Sequence, residues 1–175
     1  LWMRETHGVL QFSGADAGTW LQAQTSNDVL GLKSGEGCVN ALLDRQGRVQ
    51  ALFTTHRWAD EWWILIEQSQ VAAIQHRIDS HLFLEDVHVL EAGGGEPQIL
   101  LEGPRAHVLL AALLEEEAQT GAPQHSLPAL PHAFRPLRLL GHEVLVFRQT
   151  VSGEDGYLII PEPAEADALS EALLD

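Results

Sequence analysis

Four things are scarce in this sequence: cysteine, positive charge, aromatic residues and long apolar runs. Its 175 residues include one cysteine and 10 Lys+Arg against 25 Asp+Glu, for a formal net charge of -15. The single Cys38 excludes an internal disulfide and a cysteine-rich metal cage, which fits a cytoplasmic location. The excess of negative charge repels phosphate, and no apolar run reaches the roughly 20 residues of a membrane span. Neither nucleic acid nor a membrane is therefore expected as a partner.

Several common catalytic and cofactor motifs are also missing. The sequence has no P-loop, no G-x-G-x-x-G after a predicted strand and no G-x-S-x-G element. Its nine histidines show no metal-ligand spacing, since His76 and His81 are five residues apart and point to different faces of a helix. We therefore predict no metal site.

Hydrophobic periodicity predicts strands and helices that do not alternate strictly, which indicates an α+β fold. Residues 70–82 carry apolar side chains at helical spacing, typical of one buried stripe. In this first part we expect helices over residues 15–24 and 70–82, and strands over residues 8–13, 38–43, 48–58, 61–67 and 86–90.

Three consecutive glycines at residues 93–95 indicate a joint between two α+β subdomains, residues 1–92 and residues 93–175, which are free to interleave in space. In residues 12–21 and again in residues 101–110, a strand ends at glycine, with Ala three positions on and Leu seven on. This echo is explained either by duplication or by the general preferences of strand-to-helix turns. Residues 120–136 contain four prolines and are expected to be a loop.

Three segments in this order resemble the folate-binding T-protein superfamily, which includes the glycine-cleavage aminomethyltransferases. They are residues 21–29 (LQAQTSNDV), residues 41–49 (ALLDRQGRV) and residues 148–157 (RQTVSGEDGY). The first two are similar to the YgfZ group of that superfamily. The resemblance implies ferredoxin-like α+β subdomains in a ring around a channel that binds tetrahydrofolate or a derivative, with the family's C-terminal barrel outside this sequence.

The resemblance also implies folate-binding residues. Glu154 matches the glutamate that accepts the two adjacent N–H donors of the pterin, and Arg148 is placed to oppose that charge or to meet the anionic glutamate tail. Asn27 and Asp28 lie in the polar break after the first helix and are expected to face the channel. The alternatives are a solvated turn at Glu154 and a capping role for Asn27 and Asp28.

Tryptophans and one further carboxylate complete the candidate site. Trp58, Trp62 and Trp63 cluster around one turn, and we expect at least one of Trp62 and Trp63 to be half exposed because they face opposite sides of a strand. They provide either edge packing or a surface for a flat heteroaromatic ligand, with Trp58 as a candidate. Asp44 lies in the preceding hairpin and is the carboxylate there that could serve the site.

One departure from the family bears on activity. The transferases carry two consecutive Asp shortly after the hairpin glycine, where this sequence has Ala51 and Leu52. The leading expectation is therefore a tetrahydrofolate-binding, YgfZ-like accessory protein for the maturation or repair of iron-sulfur enzymes, whose partner is such an enzyme or an assembly protein. The alternatives are an aminomethyltransferase or other one-carbon transferase, and a folate-free protein-binding scaffold.

Overall fold

A computed structural model describes residues 2–4, 7–93, 98–119, 126–150 and 152–173. The chain forms two compact units: a first unit, Thr6–Gly95, and a second unit, Leu1–Glu5 with Glu96–Asp175. Strand β1, Trp2–Arg4, pairs within the second unit. The predicted division into residues 1–92 and 93–175 places these residues in the first subdomain, because a pairing over such a distance leaves no local signal in the sequence.

The first unit is a five-stranded antiparallel sheet with two helices. Its sheet order is β3-β4-β5-β2-β6, so β5 is the central strand. The elements in chain order are β2 (His7–Ser13), α1 (Ala17–Gln24), β3 (Gly37–Leu43), β4 (Val49–Trp58), β5 (Glu61–Glu67), α2 (Val71–His81) and β6 (His88–Gly93).

The helices pack on one face of this sheet through the predicted apolar stripes. Val71 and Ile74 of α2 belong to the buried cluster, and Ile78 packs against it one turn further on. On α1, a Cβ atom at Gly18 would lie 2.4 Å from the Trp62 ring. Glycine at this position therefore lets the helix lie directly on the central strand.

The second unit has the same arrangement. Its sheet order is β1-β7-β10-β9-β8, again antiparallel, and the described part of the unit carries helices beside it. The elements after β1 are β7 (Gln98–Glu102), α3 (Ala106–Gln119), β8 (Phe134–Leu139), β9 (His142–Arg148), β10 (Gly156–Pro161) and α4 (Ala166–Ala172). The predicted α+β class is confirmed.

The prediction of a loop through residue 136 is wrong at its C-terminal end. Pro136 lies within β8, opposite Leu145 of β9. Because β8 is at the edge of the sheet, a proline there does not interrupt pairing on both sides. The rest of that prediction includes residues 120–125, which lie outside the described residues.

The two sheets place corresponding strands in corresponding positions. In the first unit β2, α1, β4, β5, α2 and β6 follow the β-α-β-β-α-β order of ferredoxin-like folds, and β3 adds an edge strand. In the second unit β7, β10 and β9 take the places of β2, β5 and β4, and β1 takes the place of β6. Together with the sequence echo, this shared order favours duplication of one α+β unit.

Substituting Gly18 by alanine tests the close packing of α1 on β5. A helix-interior Gly→Ala change ordinarily stabilises by about 1 kcal/mol, but overpacking costs about 1–3 kcal/mol. We expect Gly18→Ala to lower the free energy of unfolding, measured by urea denaturation. The adjacent Thr19 is exposed, and Thr19→Ser keeps the hydroxyl that donates to Asp16 O, so it should change that free energy by less than about 0.5 kcal/mol. A stabilised Gly18→Ala protein would contradict the packing described.

Candidate functional site

The turn between β9 and β10 is held by its own side chains. Thr150 Oγ1 accepts a hydrogen bond from Gly153 N–H (2.9 Å), and Ser152 Oγ accepts one from Glu154 N–H (3.3 Å). Glu102 Oε1 accepts the Ser152 N–H at 3.1 Å, which ties the turn to the end of β7. Gly153 has a φ of 86°, a conformation that favours glycine. The N–H groups of Ser152, Gly153 and Glu154 are therefore all hydrogen-bonded to side chains.

Two adjacent carboxylates in this turn have different surroundings. Asp155 forms an ion pair with the Arg148 guanidinium. Glu154 is exposed, and its carboxylate has no hydrogen bond or ion pair with any residue that the structure describes. The turn thus presents one paired and one available carboxylate. Arg148 faces Asp155 and does not neutralise Glu154.

A buried tyrosine lies beneath this ion pair. The Arg148 guanidinium lies 4.8 Å from the centre of the Tyr157 ring, and Tyr157 is fully buried. The Tyr157 hydroxyl is 2.7 Å from His107 Nδ1 on α3. Burial raises the pKa of Tyr157 above its ordinary value, and the nearby Arg148 opposes that shift only in part. The phenol is therefore neutral at physiological pH.

A buried asparagine organises the loop after α1. Asn40 Oδ1 accepts hydrogen bonds from Ser26 N–H (2.9 Å) and Asn27 N–H (3.0 Å). Its Nδ2 donates to Thr25 Oγ1 (2.9 Å) and Thr55 Oγ1 (3.2 Å), and the residue is only 1% exposed. Sequence reasoning missed Asn40 because a lone polar residue within an apolar strand was its only signal.

Asn27 and Asp28 use their side chains within this loop. Asn27 Nδ2 donates to Val39 O (2.9 Å) and so covers the edge strand β3, while Asn27 Oδ1 accepts Asp28 N–H (2.8 Å). Asp28 Oδ1 accepts Gly31 N–H (3.0 Å). Burial and the nearby Asp28 raise the pKa of Cys38, which disfavours a thiolate. These two exposed side chains thus form hydrogen bonds within their own loop and to β3, while a capping role and ligand binding by them both stay predictions.

The β3–β4 hairpin carries no carboxylate on the strand that follows its turn. Asp44 Oδ1 accepts Gln46 N–H (2.8 Å) and Arg48 N–H (2.9 Å), so this oxygen closes the turn. Ala51 is 1% exposed and Leu52 is 55% exposed, on opposite faces of β4. Neither side chain can transfer a proton.

Arg77 of α2 lies at the base of the same hairpin. Its guanidinium donates to Leu43 O (2.7 Å), to Gln50 Oε1 (3.1 Å) and to Gln24 Oε1 (3.2 Å). All three acceptors are neutral, so Arg77 connects the helix to the hairpin without an ion pair among the described residues. Nothing in the local sequence pattern indicated this contact.

The prediction that Trp62 or Trp63 would be half exposed is wrong. Both are 9% exposed, because Trp62 packs beneath Gly18 and the opposite face of β5 is buried as well. Arg57 lies over the Trp62 ring at 5.4 Å. Trp58 is the partly exposed member of the three, and contact between it and a flat ligand stays a prediction.

Two further features are absent from the described parts of the chain. There, no group of three or more His, Cys, Asp and Glu is placed to hold a metal ion. None of the helices in those parts has the length and apolarity needed to cross a membrane.

The model of the GCVT N-terminal domain family matches residues 4–175, and the chain belongs to this family. It is 28% identical over 173 residues to an aminomethyltransferase of Lysinibacillus sphaericus, covering 96% of this chain and 44% of that protein. An aminomethyltransferase of Clostridium botulinum (strain Loch Maree / Type A3) is 26% identical over 169 residues, with the same coverage. The chain thus spans less than half the length of these relatives.

A solved structure shows the same fold. The glycine cleavage system aminomethyltransferase T from Bartonella henselae matches with a TM-score of 0.72 at 20% identity, over 96% of this chain and 43% of that one. The α+β units described above are therefore those of the N-terminal part of this fold.

Replacing Asn40 by alanine tests its role in the loop. Removing the amide leaves buried donors and acceptors unpaired, at about 1–3 kcal/mol for such a group. We expect Asn40→Ala to lower the free energy of unfolding and to speed amide hydrogen exchange at Ser26 and Asn27. The exposed Gln46→Ala should do neither. Unchanged exchange at Ser26 and Asn27 would contradict this role.

Proposed function

We propose that this chain binds tetrahydrofolate or a derivative, as the N-terminal portion of an aminomethyltransferase-type protein. The observation that carries the proposal is the available carboxylate of Glu154, on a turn whose N–H groups at Gly153 and Glu154 are hydrogen-bonded. A pterin presents two adjacent N–H donors, and a carboxylate accepts both in a bidentate, charge-assisted pair. Membership of the GCVT N-terminal domain family and the names of the relatives support the same ligand class.

The residues present fit such a ligand. Glu154, on the second unit, supplies the charged acceptor for the N–H donors of the pterin. The partly exposed Trp58, on the first unit, is a separate candidate as an aromatic surface for a flat ring. Asn27, Asp28 and Asp44, also on the first unit, already hold their own loops, so the proposal does not depend on them. When bound, the folate would supply the one-carbon chemistry, while Glu154 binds and orients it.

Titration with reduced folate tests the proposal. The wild-type protein should show saturable binding in isothermal titration calorimetry, a measurement that needs no tryptophan near Glu154. Glu154→Gln keeps the shape of the side chain but loses the charged acceptor, worth about 1.5–3 kcal/mol, so Kd should rise about 10- to 150-fold. The matched control is Asp60→Asn, an exposed carboxylate in the corresponding β4–β5 turn, which should leave Kd unchanged. No saturation up to millimolar folate would refute folate binding.

We infer further that the described residues supply no acid–base group for one-carbon transfer at the start of β4. Ala51 and Leu52 have no proton to give, and one oxygen of Asp44 accepts two backbone hydrogen bonds in the turn. Positioned acid–base groups contribute about 10²–10⁴-fold to a rate. The relatives are named aminomethyltransferases, so transferase activity is the property to measure.

A single-turnover assay tests this inference. With tetrahydrofolate and an aminomethyl-carrying protein substrate, we expect no release of the methylene unit above background. Glu154→Gln should look the same as the wild type in this assay. Robust turnover that Asp44→Asn abolishes would instead establish transferase chemistry with Asp44 as its carboxylate.

A second candidate is a YgfZ-like accessory role in the maturation or repair of iron-sulfur enzymes, in the cytoplasm. The missing carboxylates on β4 favour it, because folate binding without transfer suits an accessory protein better than a transferase. Deleting the gene in its host should then lower the activity of iron-sulfur enzymes while glycine cleavage continues. Loss of glycine cleavage alone would favour the transferase.

A further inference from the structure

Arg148 occupies a position between the candidate ligand-binding turn and the buried core of the second unit. It is paired across the strands with Tyr157, lies over that ring at 4.8 Å, and forms an ion pair with Asp155. We propose that Arg148 is a positioning residue, which acts through Asp155 to keep the neighbouring Glu154 carboxylate unpaired and oriented for its ligand. This inference rests on the folate-binding function proposed above.

The charges on the turn explain why this pairing matters. Glu154 and Asp155 are adjacent carboxylates, and Arg148 is the cation in contact with the turn among the described residues. Because the Arg148 guanidinium binds Asp155, the charge of Asp155 is neutralised and the Glu154 carboxylate keeps its full negative charge. Without Asp155, the same guanidinium would be free to pair with Glu154 and to compete with the ligand.

The core beneath Arg148 keeps it in place. Tyr157 is fully buried, and its hydroxyl is 2.7 Å from His107 Nδ1. Gln149 N–H donates to Gly156 O at 3.2 Å, and a Cβ atom at Gly156 would lie 2.5 Å from Gln149 O. The two strands therefore meet closely at the base of the turn, and Arg148 lies against a fully buried ring.

The first unit shows which part of this arrangement the fold itself requires. At corresponding positions on β4 and β5, Arg57 is paired with Trp62 and lies over its ring at 5.4 Å. Arg57, however, donates to the neutral backbone oxygens of Leu32 (3.0 Å) and Ala59 (3.3 Å). The arginine over an aromatic ring thus belongs to the repeated framework. The ion pair to a carboxylate is an addition in the second unit, at the turn that carries Glu154.

This comparison separates positioning from ordinary stabilisation. If Arg148 only stabilised the hairpin, Arg57 and Arg148 would be equivalent, and loss of either would act on unfolding alone. If Arg148 positions Glu154, its loss must weaken ligand binding, and that effect must depend on the presence of the Glu154 carboxylate.

The test is a double-mutant cycle on the whole chain, with tetrahydrofolate as the probe and Kd from isothermal titration calorimetry. We expect Arg148→Met to raise Kd about tenfold in the wild-type background and less than twofold in the Glu154→Gln background. Arg57→Met should change Kd less than twofold, even though both methionine variants lower the urea midpoint. Arg148→Lys, which keeps the ion pair, should recover Kd to within about threefold of the wild type.

Other outcomes would overturn the proposal. Arg148 would have a purely structural role if Arg148→Met changed Kd equally with and without the Glu154 carboxylate. The same would follow if Arg57→Met changed Kd as much as Arg148→Met does. If Arg148→Met does not fold, Asp155→Asn replaces it, and we expect a rise in Kd that likewise vanishes in Glu154→Gln. A wild-type protein that binds no folate overturns both proposals. Binding that depends on Glu154 but not on Arg148 or Asp155 overturns this one alone.

Discussion

Each sheet is built around a buried aromatic residue near the start of its central strand, Trp62 in β5 and Tyr157 in β10. Each ring pairs across the strands with an arginine, and each is contacted from the first helix of its unit, by Gly18 and by His107. This repeated contact fixes the hairpin that leads into the central strand. The position of the candidate site depends on it, because Glu154 lies at the tip of that hairpin in the second unit.

The two units use the same framework for different ends. In the first unit the contact between helix and aromatic ring is purely steric, since glycine leaves room for a large indole. In the second unit a smaller phenol is met by a histidine through a hydrogen bond. The tips of the two hairpins differ as well. Among the described residues, only the tip in the second unit has both an ion pair and an available carboxylate. The two units thus share one strand order, and the candidate binding function lies in one of them.

Local patterns predicted much of the fold. The α2 stripe, the β4–β5 hairpin and the strand-to-helix turns at Gly14 and Gly103 follow from periodicity and glycine placement over a few residues. Contacts between distant residues did not follow in the same way. The pairing of β1 with β7, the edge strand β8 and the burial of Trp63 depend on which surfaces meet after folding.

The residues of the candidate site show the same difference between local patterns and contacts formed on folding. Glu154 and Arg148 were found through a motif that is continuous in sequence, and the structure places them on one hairpin. The Arg148–Asp155 pair was not predicted, since a sequence does not tell which of two adjacent carboxylates a cation will choose. Asn40 was missed because its partners come from a loop some 15 residues away.

The central claim is that the Glu154 carboxylate accepts both adjacent N–H donors of a reduced pterin. The most direct measurement is a crystal structure of the chain with tetrahydrofolate bound. The account predicts that both carboxylate oxygens lie about 2.7–3.0 Å from the ring N–H nitrogen and from the neighbouring amino nitrogen of the pterin. A pterin bound elsewhere on the protein, with Glu154 facing solvent, would contradict it.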